Sequence, residues 1–360
     1  MQVAVVGGGL AGLVAADALV SRGVAVTLFE SAPAFGGQVR TEREDGFLIE
    51  HGAEGFPARR AAVRELCTRL GVADRLIPQR TNRALVLRDG SLGELAEGEA
   101  VRLLGMQVDP ADLGSGLVTL QDGLGTLVTA LVHRLSVSAT LRLDWPVHSV
   151  DWEDGGWTLN GVGLSRFRAG AVVLALPAEQ SASLLTPLVG PVPGLASLPH
   201  VSSVTVSLAF RRSDVGHPLE ASGFVVASPD QNGLRACVFC SSKLSGRAPP
   251  GAELVRAFFR PEAEELKQPD GHWVEKATRA LEAPLSLSGG PLQSWVSRWP
   301  DALPQYPSGH AETIAELRRD LQSFGGLELA GSAVDQGGVA GAVRSGQAAA
   351  DRVLAHLCKS

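Results

Sequence analysis

The stretch VAVVGGGLAGLVAADALVSRGVAVTLFE, residues 3–30, decides the fold of this chain. Its first apolar run, residues 3–6, predicts a buried strand. The alanine-rich run over residues 13–22 predicts a helix with one buried face, and residues 25–29 predict a second strand. The pattern GxGxxG separates the first strand from the helix, and an acidic residue closes the second strand. This order predicts a βαβ unit that binds a dinucleotide.

Each glycine of the loop has a physical role in such a unit. Gly7 permits the tight turn, Gly9 lets a pyrophosphate approach the backbone, and Gly12 lets the helix pack closely on the strand. The N–H groups at the helix N-terminus favour phosphate. Glu30 can accept hydrogen bonds from a ribose diol and repels a 2′-phosphate, which disfavours NADP. The alternative is a glycine-rich turn without a ligand.

A second glycine-rich segment follows the acid and favours FAD over NAD. Gly36 and Gly37 allow another close approach of the backbone to the cofactor. Arg40 can neutralise a phosphate. Gly52 and Ala53 are small enough for a flat ring to lie against the main chain.

The composition excludes several classes of protein. Of the 360 residues, 45% are apolar and 19% are charged, which excludes a disordered chain. The net charge of −6, without a block of like charge, disfavours nucleic acid as a partner. No apolar run approaches the roughly 18 residues of a spanning helix, and no basic segment precedes the first strand. We therefore expect a cytoplasmic protein.

The cysteines and histidines predict neither a metal site nor a disulfide. Cys237 and Cys240 stand three residues apart in a predicted strand, so their side chains would point to opposite faces. The eight histidines lack the spacing of metal-binding motifs. We therefore predict no metal.

Motifs along the whole chain resemble those of the flavoprotein superfamily of amine oxidases, protoporphyrinogen oxidases and phytoene desaturases. The similarity to protoporphyrinogen oxidases is the strongest. The segments that carry it are residues 36–56, 120–131, 172–185, 243–259, 299–310 and 327–353.

The resemblance implies that FAD is the cofactor and that its site draws on both ends of the chain. In the last segment a turn at Gly331-Ser332 is followed by Gly337-Gly338 and a predicted helix over residues 339–356, whose N–H groups can face the flavin. Cys358 lies in the tail, so we expect FAD to be bound non-covalently. The implied cofactor contacts are Gly7, Gly9, Leu10, Ala11, Gly12, Glu30, Ser31, Gly36, Gly37, Gln38, Arg40, Thr41, Gly52, Ala53, Glu54, Val147 (in a strand predicted over residues 144–150), Gly331, Ser332, Gly338, Val339 and Ala340.

The expected fold is α/β, with a discontinuous Rossmann-like FAD-binding domain and an inserted, mostly antiparallel-sheet substrate domain. Strand-like runs over residues 201–210, 223–227, 235–240 and 254–259 form the insertion, and residues 261–281 are predicted to be helical. The predicted bounds are residues 1–77, 118–190 and 308–360 for the FAD-binding domain, and residues 78–117 and 191–307 for the substrate domain.

Four residues match substrate-binding positions of the similar family. Arg83 resembles an arginine that pairs with a substrate propionate, although an exposed surface arginine is an equal alternative. Gly223, Val225 and Phe258 match pocket-lining positions, with ordinary core packing as the alternative. The interval over residues 90–117 is short where the family carries a long lid that docks on membranes, so we expect an open site and weak or no membrane association.

The sequence thus predicts an FAD-dependent oxidase that dehydrogenates a small organic molecule. The resemblance implies oxidation of a porphyrinogen to a porphyrin with dioxygen as acceptor, without an assigned catalytic side chain. One alternative is amine oxidation, which the absence of lysine near Val206 and the single tyrosine disfavour. Another is a non-catalytic FAD-binding protein that has lost its substrate lid.

Overall fold

The computed structural model describes residues 2–105, 112, 114–163, 165–228 and 233–358, and begins with the strand, helix and strand that the sequence predicts. β1 spans Gln2–Val6, α1 spans Leu10–Val20 and β2 spans Ala25–Phe29. Helix α1 begins three residues earlier than predicted, directly after the glycine loop. β1 and β2 pair in parallel, as the two strands of a βαβ unit do.

The later elements follow in chain order. The strands are β3 (Thr41–Glu44), β4 (Phe47–Glu50), β5 (Phe56–Pro57), β6 (Leu76–Pro78), β7 (Leu85–Arg88), β8 (Ser91–Glu94), β9 (Leu117–Leu120), β10 (Thr140–Arg142), β11 (Ser149–Glu153), β12 (Gly156–Asn160), β13 (Arg166–Ala169), β14 (Ala171–Leu174), β15 (His200–Arg211), β16 (Gly223–Val226), β17 (Leu234–Phe239), β18 (Ala252–Phe259), β19 (Gln293–Pro304) and β20 (Leu327–Leu329). The helices are α2 (Ala61–Arg69), α3 (Glu99–Leu104), α4 (Gly125–Ser138), α5 (Ala178–Val189), α6 (Pro193–Ala196), α7 (Cys240–Lys243), α8 (Ala263–Leu266), α9 (Asp270–Leu285), α10 (His310–Leu321) and α11 (Gly338–Leu357).

A parallel sheet joins the N-terminal, central and C-terminal parts of the chain. Its strand order is β10-β2-β1-β14-β20. Along β1, Val3 and Val5 pack with α1, α2, α4 and α11, whereas Ala4 and Val6 pack with α5, α6, α10 and the small sheet β11-β12-β13. Both faces of the parallel sheet are therefore covered, as expected when successive side chains alternate between two cores.

A seven-stranded sheet forms the second large layer, in the order β19-β15-β18-β17-β16-β7-β8. Its neighbouring strands are antiparallel except for the parallel pair β16 and β7. Trp273, Ala277 and Leu281 of α9 are buried against one face of this sheet. The α/β class, with a Rossmann-like part and a mostly antiparallel sheet, is confirmed.

Two predicted elements are wrong in detail. No continuous strand spans residues 144–150, because β10 ends at Arg142 and β11 begins at Ser149. Asp144 has a left-handed backbone with φ of 53°, and Pro146 has no N–H to donate, so the segment with Val147 is a connection rather than a strand. The helix predicted over residues 261–281 is divided into α8 and α9, because Pro269 restricts the residue before it to an extended backbone.

In the parallel-sheet region, α1 and α11 pack in backbone contact. A Cβ atom added at Gly346 of α11 would lie 2.3 Å from the carbonyl oxygen of Ala11 and 3.1 Å from the nitrogen of Ala15. Within the first βαβ unit, a Cβ atom at Gly12 would lie 1.9 Å from the carbonyl oxygen of Gly7. The backbones of the two helices therefore touch, and the contact fixes how α11 lies along α1.

Replacing Gly346 with alanine should separate these two helices. We expect Gly346→Ala to lower the free energy of unfolding by about 1–3 kcal/mol, the usual cost of overpacking a core. Gly271→Ala in α9 is the matched control, because no described atom lies within 4 Å of its Cβ position and alanine favours helices by up to about 1 kcal/mol. Urea unfolding of both variants is the measurement, and equal effects would contradict the contact.

Candidate active site

The N-terminus of α1 is built to receive a ligand. Gly9 precedes the helix with φ −69° and ψ 176°, and no described side chain caps the first helical N–H groups. Leu10, Ala11 and Gly12 of this first turn are buried. No described atom lies within 4 Å of the Cβ position of Gly9. The free N–H groups of a buried, uncapped helix end favour the binding of an anion. The open space at this end of α1 is therefore suited to a phosphate.

Glu30 lies at the rim of the same loop. Its Oε2 accepts a hydrogen bond of 2.6 Å from the N–H of Gly8, and its Oε1 accepts bonds from the N–H of Ala32 at 2.8 Å and the hydroxyl of Ser31 at 3.2 Å. The carboxylate is therefore fixed beside the open space at Gly9, where it could accept hydrogen bonds from a ribose.

The second glycine segment meets the first loop directly. The N–H of Gly36 donates to the carbonyl of Gly8 at 2.9 Å, and the Cβ position of Gly37 lies 3.2 Å from the Cα of Gly9. Gly52 approaches the Gln38 carbonyl so closely that an added Cβ atom would lie 1.9 Å from its oxygen.

Three predicted cofactor residues have other surroundings. The Thr41 hydroxyl donates to Glu50 and accepts from the N–H of Gly125, so it holds the start of α4. The Arg40 side chain is 65% exposed and pairs with Glu42 at 3.5 Å. Val147 is partly buried and packs against the hydrophobic core that contains Phe29. Their contacts with a cofactor stay predictions.

The C-terminal motif supplies a second open helix end. The N–H of Gly331 donates to the Ser345 hydroxyl at 2.9 Å, and the Tyr306 hydroxyl donates to the carbonyl of Ser332 at 2.8 Å. Gly337 is the N-cap residue of α11 and has no side chain with which to cap the helix, and no described atom lies within 4 Å of the Cβ position of Gly338.

A cavity of about 710 Å³ lies between this end of α11 and the seven-stranded sheet. Its lining includes Gly338, Val339 and Ala340 on the helix side. On the sheet side are Gly223, Val225 and Phe258, the three residues that the sequence suggests for substrate, together with Ala84, Leu95, Ala100, Leu104 and Ala236. The cavity therefore has a broad apolar wall opposite an open helix N-terminus.

Arg83, the fourth substrate candidate, is not part of the cavity lining. Its guanidinium donates to Oε1 of Glu94 through Nε at 2.8 Å and Nη2 at 2.5 Å, and its side chain is 48% exposed. The structure thus pairs Arg83 with a carboxylate on the neighbouring strand, whereas its neighbour Ala84 lines the cavity.

The cavity also has basic side chains that sequence reasoning missed. Six lining residues are basic and two, Glu54 and Asp112, are acidic, so positive charge is in excess. The basic residues are Arg60, Arg235, Lys243, Arg256, Arg260 and Arg344. One sequence signal was available, because Arg256, Phe258 and Arg260 alternate along β18 and its extension, and alternate strand residues share a face.

The Lys243–Glu54 ion pair lies where the cavity meets the second glycine segment. Nζ of Lys243 is 2.6 Å from Oε2 of Glu54, and Nη2 of Arg256 is 3.9 Å from Oε1. Burial alone would raise the pKa of Glu54, but these two cations outweigh it and lower the pKa to about 2. Glu54 is therefore a permanent anion that neutralises part of the positive charge here.

Glu50 is buried on the other side of this segment. It accepts hydrogen bonds from the Thr41 hydroxyl at 2.6 Å and the N–H of Leu124 at 2.7 Å, while the Arg247 guanidinium stays 3.9 Å away. Burial outweighs these interactions and raises the pKa of Glu50 to about 7.

Comparison with known proteins places this geometry in a family. Residues 97–354 match the model of the flavin-containing amine oxidoreductases, and residues 5–70 match that of the NAD(P)-binding Rossmann-like domain. The chain belongs to the flavin-containing amine oxidoreductase family. It is therefore an FAD-dependent oxidoreductase, and the predicted cofactor is confirmed.

Several curated relatives align along nearly the whole chain. Coproporphyrinogen III oxidase of Bacillus subtilis (strain 168) is 23% identical, covering 99% of this chain and 98% of the relative. The Mycobacterium bovis protein of that name is 27% identical, covering 98% and 97%. A solved structure from Exiguobacterium sp. 255-15, provisionally assigned as a protoporphyrinogen oxidase, superposes with a TM-score of 0.85 at 25% identity over 98% of both chains.

These relatives are longer than this chain. The two curated alignments extend over 470 and 458 positions although this chain has 360 residues, so about a hundred positions of each relative have no counterpart here. This chain is thus shorter than both curated relatives, and the position of the shortening at residues 90–117 stays a prediction. Among the described residues, no helix combines the length and apolarity that crossing a membrane requires.

The residues present fit FAD. Two helix N-termini lack side-chain caps from the described residues, the Cβ positions of Gly9 and Gly338 face open space, and a carboxylate stands beside the first loop. FAD, when bound, supplies an acceptor for two electrons. The residues that would hold it are those around Gly9, Glu30, Gly52 and Gly338.

Gly9→Val tests this assignment without disturbing the fold. The side chain would enter the open space, so we expect FAD affinity to fall at least about tenfold, or 1.4 kcal/mol. Loss of a glycine at the N-cap should change the apoprotein's unfolding free energy by at most about 1 kcal/mol. FAD titration and urea unfolding are the measurements, with Gly93→Val in β8, whose Cβ position is also open, as control. Unchanged FAD affinity would contradict the assignment.

Glu50 predicts how stability depends on pH. Its pKa is raised from 4.5 to about 7 in the folded state. Between these pH values the folded protein therefore keeps a proton on Glu50 that the unfolded chain has lost. The stabilisation is complete below pH 4.5 and is lost as pH rises through 7. In the wild-type protein, Glu50 should lower the free energy of unfolding by up to about 3 kcal/mol between pH 5 and 8. The Glu50→Gln variant should lack this decrease.

Urea unfolding at a series of pH values measures this effect. Glu316→Gln, at a side chain that is 68% exposed, is the control and should keep the wild-type slope. A Glu50→Gln variant with that same slope would show that another group causes the pH dependence.

Proposed function

We propose that this chain oxidises a porphyrinogen to a porphyrin with FAD as its cofactor and dioxygen as its acceptor. The observation that carries the proposal is the cavity itself, in which an apolar wall and an excess of basic residues face the open N-terminus of α11. A porphyrinogen has this combination, because it is a large apolar ring system with carboxylate side chains.

The size and charge of the cavity support this substrate class. About 710 Å³ lies within the range of small-molecule sites. Arginine binds carboxylates through paired N–H groups, and the lining supplies five arginines. Curated relatives that align with almost all of this chain are named coproporphyrinogen III oxidase.

The protein's own residues would position the substrate and exclude water. Phe258, Val225 and Gly223 supply the apolar wall, and Gly338 supplies the side of the cavity where FAD is expected. In each two-electron oxidation the substrate loses two hydrogens, which dioxygen takes up as hydrogen peroxide. No described side chain is needed as a general base in this scheme.

We propose the domain bounds that the sequence predicts as part of this function. Residues 1–77, 118–190 and 308–360 would hold FAD, and residues 78–117 and 191–307 would hold the substrate. The cavity supports this division, since its lining combines α11 with the seven-stranded sheet.

Amine oxidation is the competing activity. Cationic amines would meet a cavity whose lining already has positive charge in excess. Val206, the position considered for a lysine near the flavin, is buried in the core on the α9 side of the sheet. Both observations favour an anionic substrate.

Anaerobic titration of the FAD-loaded protein tests the proposed function. Coproporphyrinogen III or protoporphyrinogen should bleach the flavin absorbance, and aerobic turnover should yield porphyrin fluorescence together with hydrogen peroxide. Putrescine and cyclohexylamine are the comparison substrates and should leave the spectrum unchanged. Bleaching by amines instead would favour amine oxidation, and bound FAD that neither class reduces would favour a non-catalytic FAD-binding protein.

A further inference from the structure

Two arginines of the cavity lack an acidic partner among the described residues. Nη2 of Arg235 donates to the carbonyl of Leu103 at 3.1 Å, and Nη2 of Arg260 donates to the carbonyl of Leu104. Because these carbonyls belong to successive residues at the end of α3, the two guanidiniums lie side by side. Each retains N–H groups beyond the one that contacts α3.

The other basic residues of the lining differ in this respect. Each has a carboxylate oxygen within 4 Å: Arg60–Asp112 at 2.6 Å, Lys243–Glu54 at 2.6 Å, Arg256–Glu54 at 3.9 Å and Arg344–Asp335 at 2.7 Å. Lys243 and Arg256 share one carboxylate, whereas Arg235 and Arg260 have none among the described residues.

In the protein without substrate, the surroundings of these two arginines make the absence of a carboxylate partner energetically unfavourable. Nε of Arg235 is buried without a hydrogen-bond partner among the described residues. Burial and the neighbouring charge of Arg235 both lower the pKa of Arg260. A buried donor without a partner and two adjacent like charges are each unfavourable, and a bound anion would relieve the repulsion between the charges.

The backbone directs both side chains into the cavity. The pairing of β17 with β18 shifts between Leu234 and Ala236, so Arg235 is the extra residue of a bulge. Consequently Arg235 and Ala236 both line the cavity, although neighbouring strand residues normally face opposite sides. Arg260 follows Phe258 by two residues and lines the cavity with it.

We propose that Arg235 and Arg260 together bind the carboxylates of an otherwise apolar substrate, whose body lies on Phe258, Val225 and Ala236. The proposal rests on the proposed function and assigns the carboxylate-binding role to this pair rather than to Arg83. It predicts a directional site, with the carboxylates of one edge of the substrate under α3 and the oxidised part of the ring toward α11.

Binding of coproporphyrin III, the porphyrin product, to the FAD-loaded protein tests the pair without requiring turnover. We expect Arg235→Gln and Arg260→Gln each to weaken binding at least about tenfold and to reduce its salt dependence, because one guanidinium is lost in each. Coproporphyrin tetramethyl ester, which lacks the charges, should bind wild type and variants alike. Arg279→Gln, at an exposed arginine of α9, is the control and should behave as wild type.

Lysine variants separate carboxylate binding from support of α3. Arg235→Lys and Arg260→Lys keep a positive donor for the helix carbonyls but lose the forked geometry, so affinity for the free acid should fall between those of wild type and the glutamine variants. In turnover, the glutamine variants should raise KM with kcat within about twofold, the pattern of lost substrate binding. Flavin absorbance and thermal unfolding verify that each variant is folded.

Three results would overturn the proposal. One is unchanged affinity for coproporphyrin III in the double Arg235→Gln/Arg260→Gln variant, and another is an equal loss of affinity for the tetramethyl ester. The third is a loss of free-acid binding in Arg83→Gln while the Arg235 and Arg260 variants bind normally. Failure of the proposed function is a separate outcome: the free acid would bind through the pair, yet no porphyrinogen would bleach the flavin.

Discussion

The backbone contact between α1 and α11 is the constraint on which the cofactor site depends. Gly346 lets α11 approach the carbonyl of Ala11, and Gly12 lets the start of α1 approach Gly7. The first approach holds two helices from opposite ends of the chain against each other, and the second holds α1 against its own loop. Each of the two helices has an uncapped N-terminus. A side chain at either glycine would displace a helix. The requirement for small residues therefore follows from backbone geometry before any ligand is considered.

Local patterns predicted the first βαβ unit because its contacts are close in sequence. The strands, the loop at Gly7 to Gly12 and Glu30 all lie within thirty residues. The same reasoning failed for Val147, where the left-handed residue at Asp144 and the proline after it interrupt the expected strand. Apolar spacing alone did not reveal that interruption, since Asp144 and Pro146 act through their backbones and not through side-chain polarity.

The charged residues of the cavity could not be predicted from local sequence patterns. Lys243 and Glu54 are 189 positions apart, and only the folded sheet brings them to 2.6 Å. Arg235 reaches the cavity because of a bulge, which shifts the alternation that a sequence pattern assumes. Conversely, Arg83 stands in a family-like motif, but the strand pairing of β7 with β8 brings Glu94 within reach of its guanidinium.

The distribution of charge along the cavity gives the site a direction. Near the second glycine segment, Lys243 and Arg256 share the Glu54 carboxylate, so a substrate anion there would compete with a partner already in place. Under α3, Arg235 and Arg260 have backbone carbonyls but no described carboxylate, so an arriving anion gains both charges without displacing one. About four residues separate Arg256 from Arg260 along the strand direction, roughly 13 Å. An elongated or disc-shaped anion would thus enter with the carboxylates of one edge toward α3, which turns the opposite edge of its ring toward the open end of α11.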